Sequence, residues 1–203
     1  MKKLLCVVMA LAIALTLVGC GGSKPEATVK TFCDGMKKLD IKKMQSCLLD
    51  ADDLDTSDFE SEEMPVEFLK YVKEWASNMT YKVKESKVDG DKATVTVDFK
   101  YTDASDVVGA MMQDYFAKMI AAAFSGKEYS EEEMSKMMIT CLEAALKEKE
   151  LKKAETTIDI SLVKKDNDWK IEEASDELVN VMTSNMLGAL EDMMSGFLGG
   201  LFE

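Results

Sequence analysis

Five cysteines, a cluster of carboxylates and three adjacent methionine pairs are the residues of this 203-residue chain whose types could do chemistry. Cys6 and Cys20 stand near the N-terminus, and Cys33, Cys47 and Cys141 follow. A thiolate is both a nucleophile and a soft metal ligand. Nucleophilic catalysis also needs a base, and the chain has no His; every one of its 25 basic side chains is Lys. The commonest general base and zinc ligand is therefore missing, and so is the guanidinium fork that grips phosphate or carboxylate. Without a base, catalysis by Cys33, Cys47 or Cys141 is not expected. Cys33 and Cys47 read either as small buried hydrophobes or as a disulfide joining two consecutive helices, and the odd count leaves at least one thiol free.

The stretch DADDLDTSDFESEE, Asp50 to Glu63, carries eight carboxylates in 14 residues. Asp50, Asp52, Asp53 and Asp55 are hard oxygen ligands close together, yet no frame supplies both the Gly at position six and the Glu at position twelve of an EF-hand, so a solvated loop is expected. The methionine pairs begin at Met111, Met137 and Met193. With Cys141 they invite a copper(I) reading, but they fall on helical apolar stripes, where Met is a flexible filler. No metal or cofactor is expected. The formal charge of −13 argues against nucleic acid, whose affinity comes from Lys and Arg on phosphates, and against charge-driven adhesion to anionic lipid.

The elements that must position these residues begin with a basic start, Lys2 and Lys3, and an uncharged run of 15 residues from Leu4 to Val18. Spanning a bilayer takes about 20 apolar residues, so the run is short for a membrane helix and has the pattern of a secretory signal. It ends in Leu17-Val18-Gly19-Cys20, which resembles the lipobox of bacterial lipoproteins. That resemblance implies cleavage between Gly19 and Cys20, loss of Cys6 with the signal, and a diacylglyceryl thioether on Cys20 as the new N-terminus. Two or more acyl chains make such an attachment stable. Ser23 to Glu26 has the capping-box pattern with Pro25 in the first turn, which holds the domain within roughly 10 to 15 Å of its anchor.

Beyond the anchor, Val29, Phe32, Cys33, Met36 and Leu39 form a helical stripe, and Ile41, Met44 and Leu48 continue it in a second short helix after an Asp40 cap. Helical spacing resumes through Phe68, Leu69, Val72 and Trp75. The period then switches to two: Ala93, Val95, Val97, Phe99 and Tyr101 share one face of a strand that pairs with MTYKVKESKV across an Asp89-Gly90 turn. Helices return over Ser105 to Phe124 and after a Ser130 to Glu133 capping box. A second hairpin follows, with Ile158, Ile160 and Leu162 on one face and Asp166 to Asp168 turning back to Trp169 and Ile171. A last helical stretch runs from about Asp176 to the end.

This order predicts an α+β fold: a curved antiparallel sheet of about four strands packed with N-terminal helices, a helical pair inserted between two hairpins, and a C-terminal helix. The expected organisation is a signal over 1–19, a lipidated tether over 20–23, a roll over 24–175 and an amphipathic helical segment over 176–203. PEATVKTFCDGMKKLDIKKM, YKVKESKVDGDKATVTVDF and ISLVKKDNDWKIEEA together resemble a group of uncharacterised Gram-positive lipoproteins. That resemblance implies a cystatin-like, nuclear transport factor 2-like roll and carries no functional residues.

The expectation is a non-enzymatic binding or interaction module, lipid-anchored on the outer face of the cell membrane, whose partner is an envelope protein or a small ligand. An alternative places a small apolar ligand or peptide in the open cone of the roll, lined by Phe99, Tyr101, Met112, Tyr115, Phe116 and Trp169. A third reading is an Asp- or Glu-dependent hydrolase or isomerase, to which no polar constellation points.

Overall fold

A computed structural model of the protein describes residues 23–51 and 65–199. The signal and Cys20, most of the acidic stretch after Asp50, and residues 200–203 lie outside the described residues. Helix α1, Pro25–Lys38, starts on Pro25, with Glu26 in its first turn and Lys37 and Lys38 in its last, as the helix dipole favours. The expected capping box is absent. Lys24 is the cap residue and makes no side-chain cap bond, since its ammonium has no acceptor, and the Ser23 hydroxyl donates to Asp168 Oδ1 at 3.1 Å.

Leu39 ends α1 rather than extending it, in the left-handed region with φ of 50°, and the Asp40 N–H donates back to the Gly35 carbonyl. Asp40 then caps α2, Ile41–Gln45, by accepting from the Lys43 N–H at 3.1 Å. The fold-back depends on Gly35, where an added Cβ would lie 2.7 Å from Met44 Cγ. Leu48 does not continue α2. It forms an isolated parallel bridge with Ile171, with the Ile171 N–H on the Cys47 carbonyl and the Leu49 N–H on the Ile171 carbonyl, both at 2.8 Å.

Helix α3, Val66–Ser77, leads into strands β1, Thr80–Asp89, and β2, Lys92–Asp103. They pair across a two-residue turn whose first residue, Gly90, takes φ of +62°. The helical pair α4, Ser105–Ser125, and α5, Glu131–Glu148, is followed by β3, Lys152–Lys165, and β4, Asp168–Ile171. Asp166 and Asn167 turn the second hairpin with φ of 51° and 71°, the two positive values a type I′ turn requires. Strand β2 also pairs antiparallel with β3, which joins the hairpins into one curved sheet of order β1-β2-β3-β4. The α+β architecture and the inserted helical pair are therefore as the periodicity predicts.

The last expected helix is broken in two: α6, Asp176–Met182, and α7, Met186–Gly199, are separated by Ser184 and Asn185, both in the left-handed region. Among the described residues no helix is long and apolar enough to cross a membrane.

Apolar side chains gather in two separate cores. The first lies under one face of the sheet, where Val95, Val97, Phe99, Ile158, Ile160 and Leu162 meet Val29, Phe32 and Met36 of α1, Met44 of α2 and Leu178 of α6. The other sheet face is polar, with Thr96 donating to Asp159, Thr157 donating to Asp98, and Lys84 paired to Asp98 at 3.0 Å. The second core is helical: Phe68, Val72 and Trp75 of α3 pack on Val107, Val108 and Met111 of α4, on Cys141, Leu142 and Ala145 of α5, and on Met186.

Candidate functional site

The thiols are the groups with the greatest intrinsic reactivity, and among the described residues burial governs all three of them. Cys33, Cys47 and Cys141 are free and buried. The Cys33–Cys47 bridge weighed from sequence is not formed; the Cys47 thiol donates to the Lys43 carbonyl at 3.4 Å, within the turn of chain that α2 begins. Burial, then Asp34 and Cys47, push the Cys33 thiol up from 9.0 to about 12. Burial likewise raises Cys47 against the pull of Ser46 and Lys170, and it raises Cys141, with Asp114 adding to the effect. Their raised pKa values favour the neutral thiol at neutral pH, and in these buried positions the three pack as small apolar groups.

The six aromatic and Met residues expected to line a cone do not share a cavity. Phe99, Tyr101 and Trp169 belong to the first core, at 1, 9 and 7% exposure. Met112 and Tyr115 pack against the second, and Phe116 is exposed on α4. The chain leaves the sheet at Ala104, so α4 carries its side chains away from the face on which Phe99 and Tyr101 sit. The space beneath the sheet is filled by Phe32, Met36, Val95, Val97 and Phe99.

Surface clefts among the described residues include ones of about 230, 190 and 270 Å³. Sites for drug-sized ligands run to about 300–1,000 Å³, so each is small. The first, beside the entry of the chain at Ser23, is lined by Thr28, Thr31, Ser46, Cys47, Asp168 and Lys170. Its polar groups are engaged internally: Thr28 donates to the Trp169 carbonyl, Thr31 to the Ala27 carbonyl, Ser46 to the Lys43 carbonyl, and Lys170 to the Ser46 carbonyl. Its chemistry is that of a seam holding α1 to β4. The second gathers Asp159, Glu172 and Glu173, and the third Glu67, Glu74 and Glu143 around Lys70 and Tyr71. Among the described residues no three His, Cys, Asp or Glu side chains are grouped to hold a metal ion.

One polar junction was not anticipated. Where β2 passes into α4, Asp103 Oδ1 accepts from the Ser105 N–H at 3.0 Å and from its hydroxyl at 2.6 Å. The α6–α7 turn docks there, with the Ala104 N–H on the Ser184 carbonyl and the Tyr101 hydroxyl donating to Asn185 Oδ1 at 3.2 Å. Burial alone would raise the Asp103 carboxyl, but Ser105, Asn185 and Lys152 outweigh it and hold it below the usual range. Lys152, at the start of β3, is paired to Asp106 in the first turn of α4. The junction therefore ties sheet, helical pair and C-terminal helix at one point. Asp-Ala-Ser at a strand-to-helix boundary was the signal that could have found it.

The geometry defines an α+β domain whose described residues build a sheet core and a helical core joined at the Asp103 junction. The chain belongs to the family described as a domain of unknown function (DUF5105), whose profile matches residues 28–184. Among solved structures it is similar to a Bacillus subtilis subsp. subtilis str. 168 protein described as a "putative lipoprotein (ycdA)", at 16% identity and a TM-score of 0.37. That match covers 80% of this chain and 47% of the other, so the chain spans about half the length of that protein. No curated protein matches.

Proposed function

We propose that the protein is a lipoprotein anchored through Cys20 to the outer face of the cell membrane and serves there as a non-enzymatic interaction module of the envelope. The observation that carries the reading is Leu17-Val18-Gly19-Cys20 at the end of an uncharged run that follows two lysines. Ser23, three residues later, is already bonded to Asp168, and α1 starts at Pro25. A lipid on Cys20 would thus hold the β3–β4 turn close to the bilayer, with almost no slack in the tether. The absence of His and Arg from the whole chain and the raised thiols favour interaction over catalysis.

The test is fractionation of cells producing the full chain or its Cys20→Ala variant. The native chain is expected in the membrane fraction and labelled by a fatty-acid probe, and the variant is expected to be unlabelled. Equal labelling of the two would overturn the anchor.

A further inference from the structure

Charge is spread unevenly over this acidic chain. The two helices that follow the anchor hold six lysines, Lys24, Lys30, Lys37, Lys38, Lys42 and Lys43, against three carboxylates. Each of those carboxylates is engaged inward: Glu26 keeps Oε2 buried, Asp34 accepts from the Tyr81 hydroxyl at 2.8 Å, and Asp40 caps α2 through the Lys43 N–H. None of the six lysines is in an ion pair among the described residues, whose ion pairs fall instead on the sheet and on α4 and α5. Lys30, Lys37 and Lys38 stand two turns apart on α1, away from the face that buries Val29, Phe32, Cys33 and Met36. They form a strip of unpaired positive charge.

We infer that this strip rests on the anionic head groups of the bilayer, so that α1 lies along the membrane surface. The inference depends on the lipid at Cys20 proposed above. Cys20 stands three residues before Ser23, and Ser23 is bonded to Asp168, so the entry to α1 stays within about 10 Å of the bilayer.

The 14 residues of α1 extend about 20 Å, whereas the pull of a charged surface fades within roughly 8–10 Å. A helix standing upright would carry Lys37 and Lys38 out of that range; a helix lying down brings all six lysines into it. The remainder of the chain carries all of the net negative charge and is pushed away by the same surface. Attraction of the strip and repulsion of the rest therefore turn the domain the same way. The net charge that argues against adhesion of the chain as a whole here selects the face that is turned down.

The native lipid-bearing chain, full length and reconstituted on vesicles, tests this by acetylation of its lysines with a small neutral reagent, read peptide by peptide in a mass spectrometer. On phosphatidylglycerol vesicles at low salt, Lys30, Lys37, Lys38 and Lys42 are expected to react about three- to ten-fold more slowly than on phosphatidylcholine vesicles. Lys84 and Lys100, whose ion pairs lie on the polar face of the sheet, should react alike on both. High salt should remove the difference. Lys30→Gln combined with Lys38→Gln, both at exposed positions, should return Lys37 and Lys42 towards their rates on phosphatidylcholine. Equal rates on the two vesicles, or slowing confined to Lys164 and Lys165, overturns the proposal. Lysines of the strip that are as slow in detergent as on either vesicle overturn it too, and assign the strip to the carboxylates of the Asp50 to Glu63 stretch. A chain that lacks the lipid by intact mass and floats free of both vesicles overturns the anchor itself, a result distinct from a lipid-bearing, vesicle-bound chain whose strip stays reactive.

Discussion

The two cores are built by different rules from the same kinds of residue. In the sheet core, one face of β2 and β3 points inward without interruption, and α1, α2 and α6 close over it, so Val95 and Val97 are fully buried and Phe99 and Leu162 nearly so. In the helical core, the roots of α4 and α5 are covered by α3 and Met186, and α7 also packs on α4, while Phe124 near the end of α4 is 90% exposed. A strand must bury one face or lose its register, whereas a two-helix arm can hold its shape with one apolar stripe open. The sheet half is therefore closed over its apolar face, whereas the arm keeps Phe116, Ile120 and Phe124 exposed.

The largest expected effects test whether the two cores unfold together. Phe99→Ala should cost about 3–5 kcal/mol and Trp75→Ala a similar amount, since both side chains are almost wholly buried, at 1 and 2% exposure. Because the Asp103–Ser105–Asn185 junction ties the cores, each variant should lower a single denaturant transition seen identically by far-ultraviolet circular dichroism and by the fluorescence of the tryptophans it retains. Two separated transitions would break the comparison into independent units.

A second effect belongs to the sheet core and depends on pH. Above pH 9 the unfolded chain loses the Cys33 proton while the folded chain keeps it to about 12, so unfolding gains and stability falls as pH rises through that window. Tyr81, raised by burial and by its hydrogen bond to Asp34, steepens the fall above pH 10. Melting temperatures of wild type and Cys33→Val under reducing conditions should agree in slope below pH 9 and diverge above it, with wild type falling faster. Parallel slopes up to pH 11 would contradict the assignment.

A smaller effect concerns the hinge that closes α2 onto α1. Gly35→Ala sets a Cβ against Met44 Cγ, the middle of a flexible side chain, so Met44 must shift and a loss of about 1–2 kcal/mol is expected in equilibrium unfolding. The smallest is a gain: Asn167→Gly should stabilise the β3–β4 turn by about 0.5–1 kcal/mol, since Asn167 holds φ of 71° at some steric cost. No gain would mean that the Asn side chain supports the turn through contacts of its own.

The strands were legible because a period of two is hard to mistake, and β2 buries the five residues the alternation picks out, Ala93, Val95, Val97, Phe99 and Tyr101. The Ser130–Glu133 box and the Asp40 cap were legible because both bonds are local. What failed depended on partners far along the chain. Ser23 matches a capping pattern but is claimed by Asp168, and Leu48 keeps helical spacing but pairs with Ile171. The pocket expectation failed because spacing tells which residues are buried but not in which core, and the six residues divide between two cores and the surface. The break in the C-terminal helix rests on two left-handed residues, Ser184 and Asn185, neither of them a glycine that would have marked it.

The central claim, that this domain works at the membrane surface on a lipid three residues from its first fixed hydrogen bond, is tested most directly by intact-mass analysis of the N-terminal peptide of the native protein. The account predicts that residues 1–19 are gone and that Cys20 begins the chain with at least a diacylglyceryl group on its sulfur. An N-terminus at any other residue, or an unmodified Cys20 thiol, would contradict it.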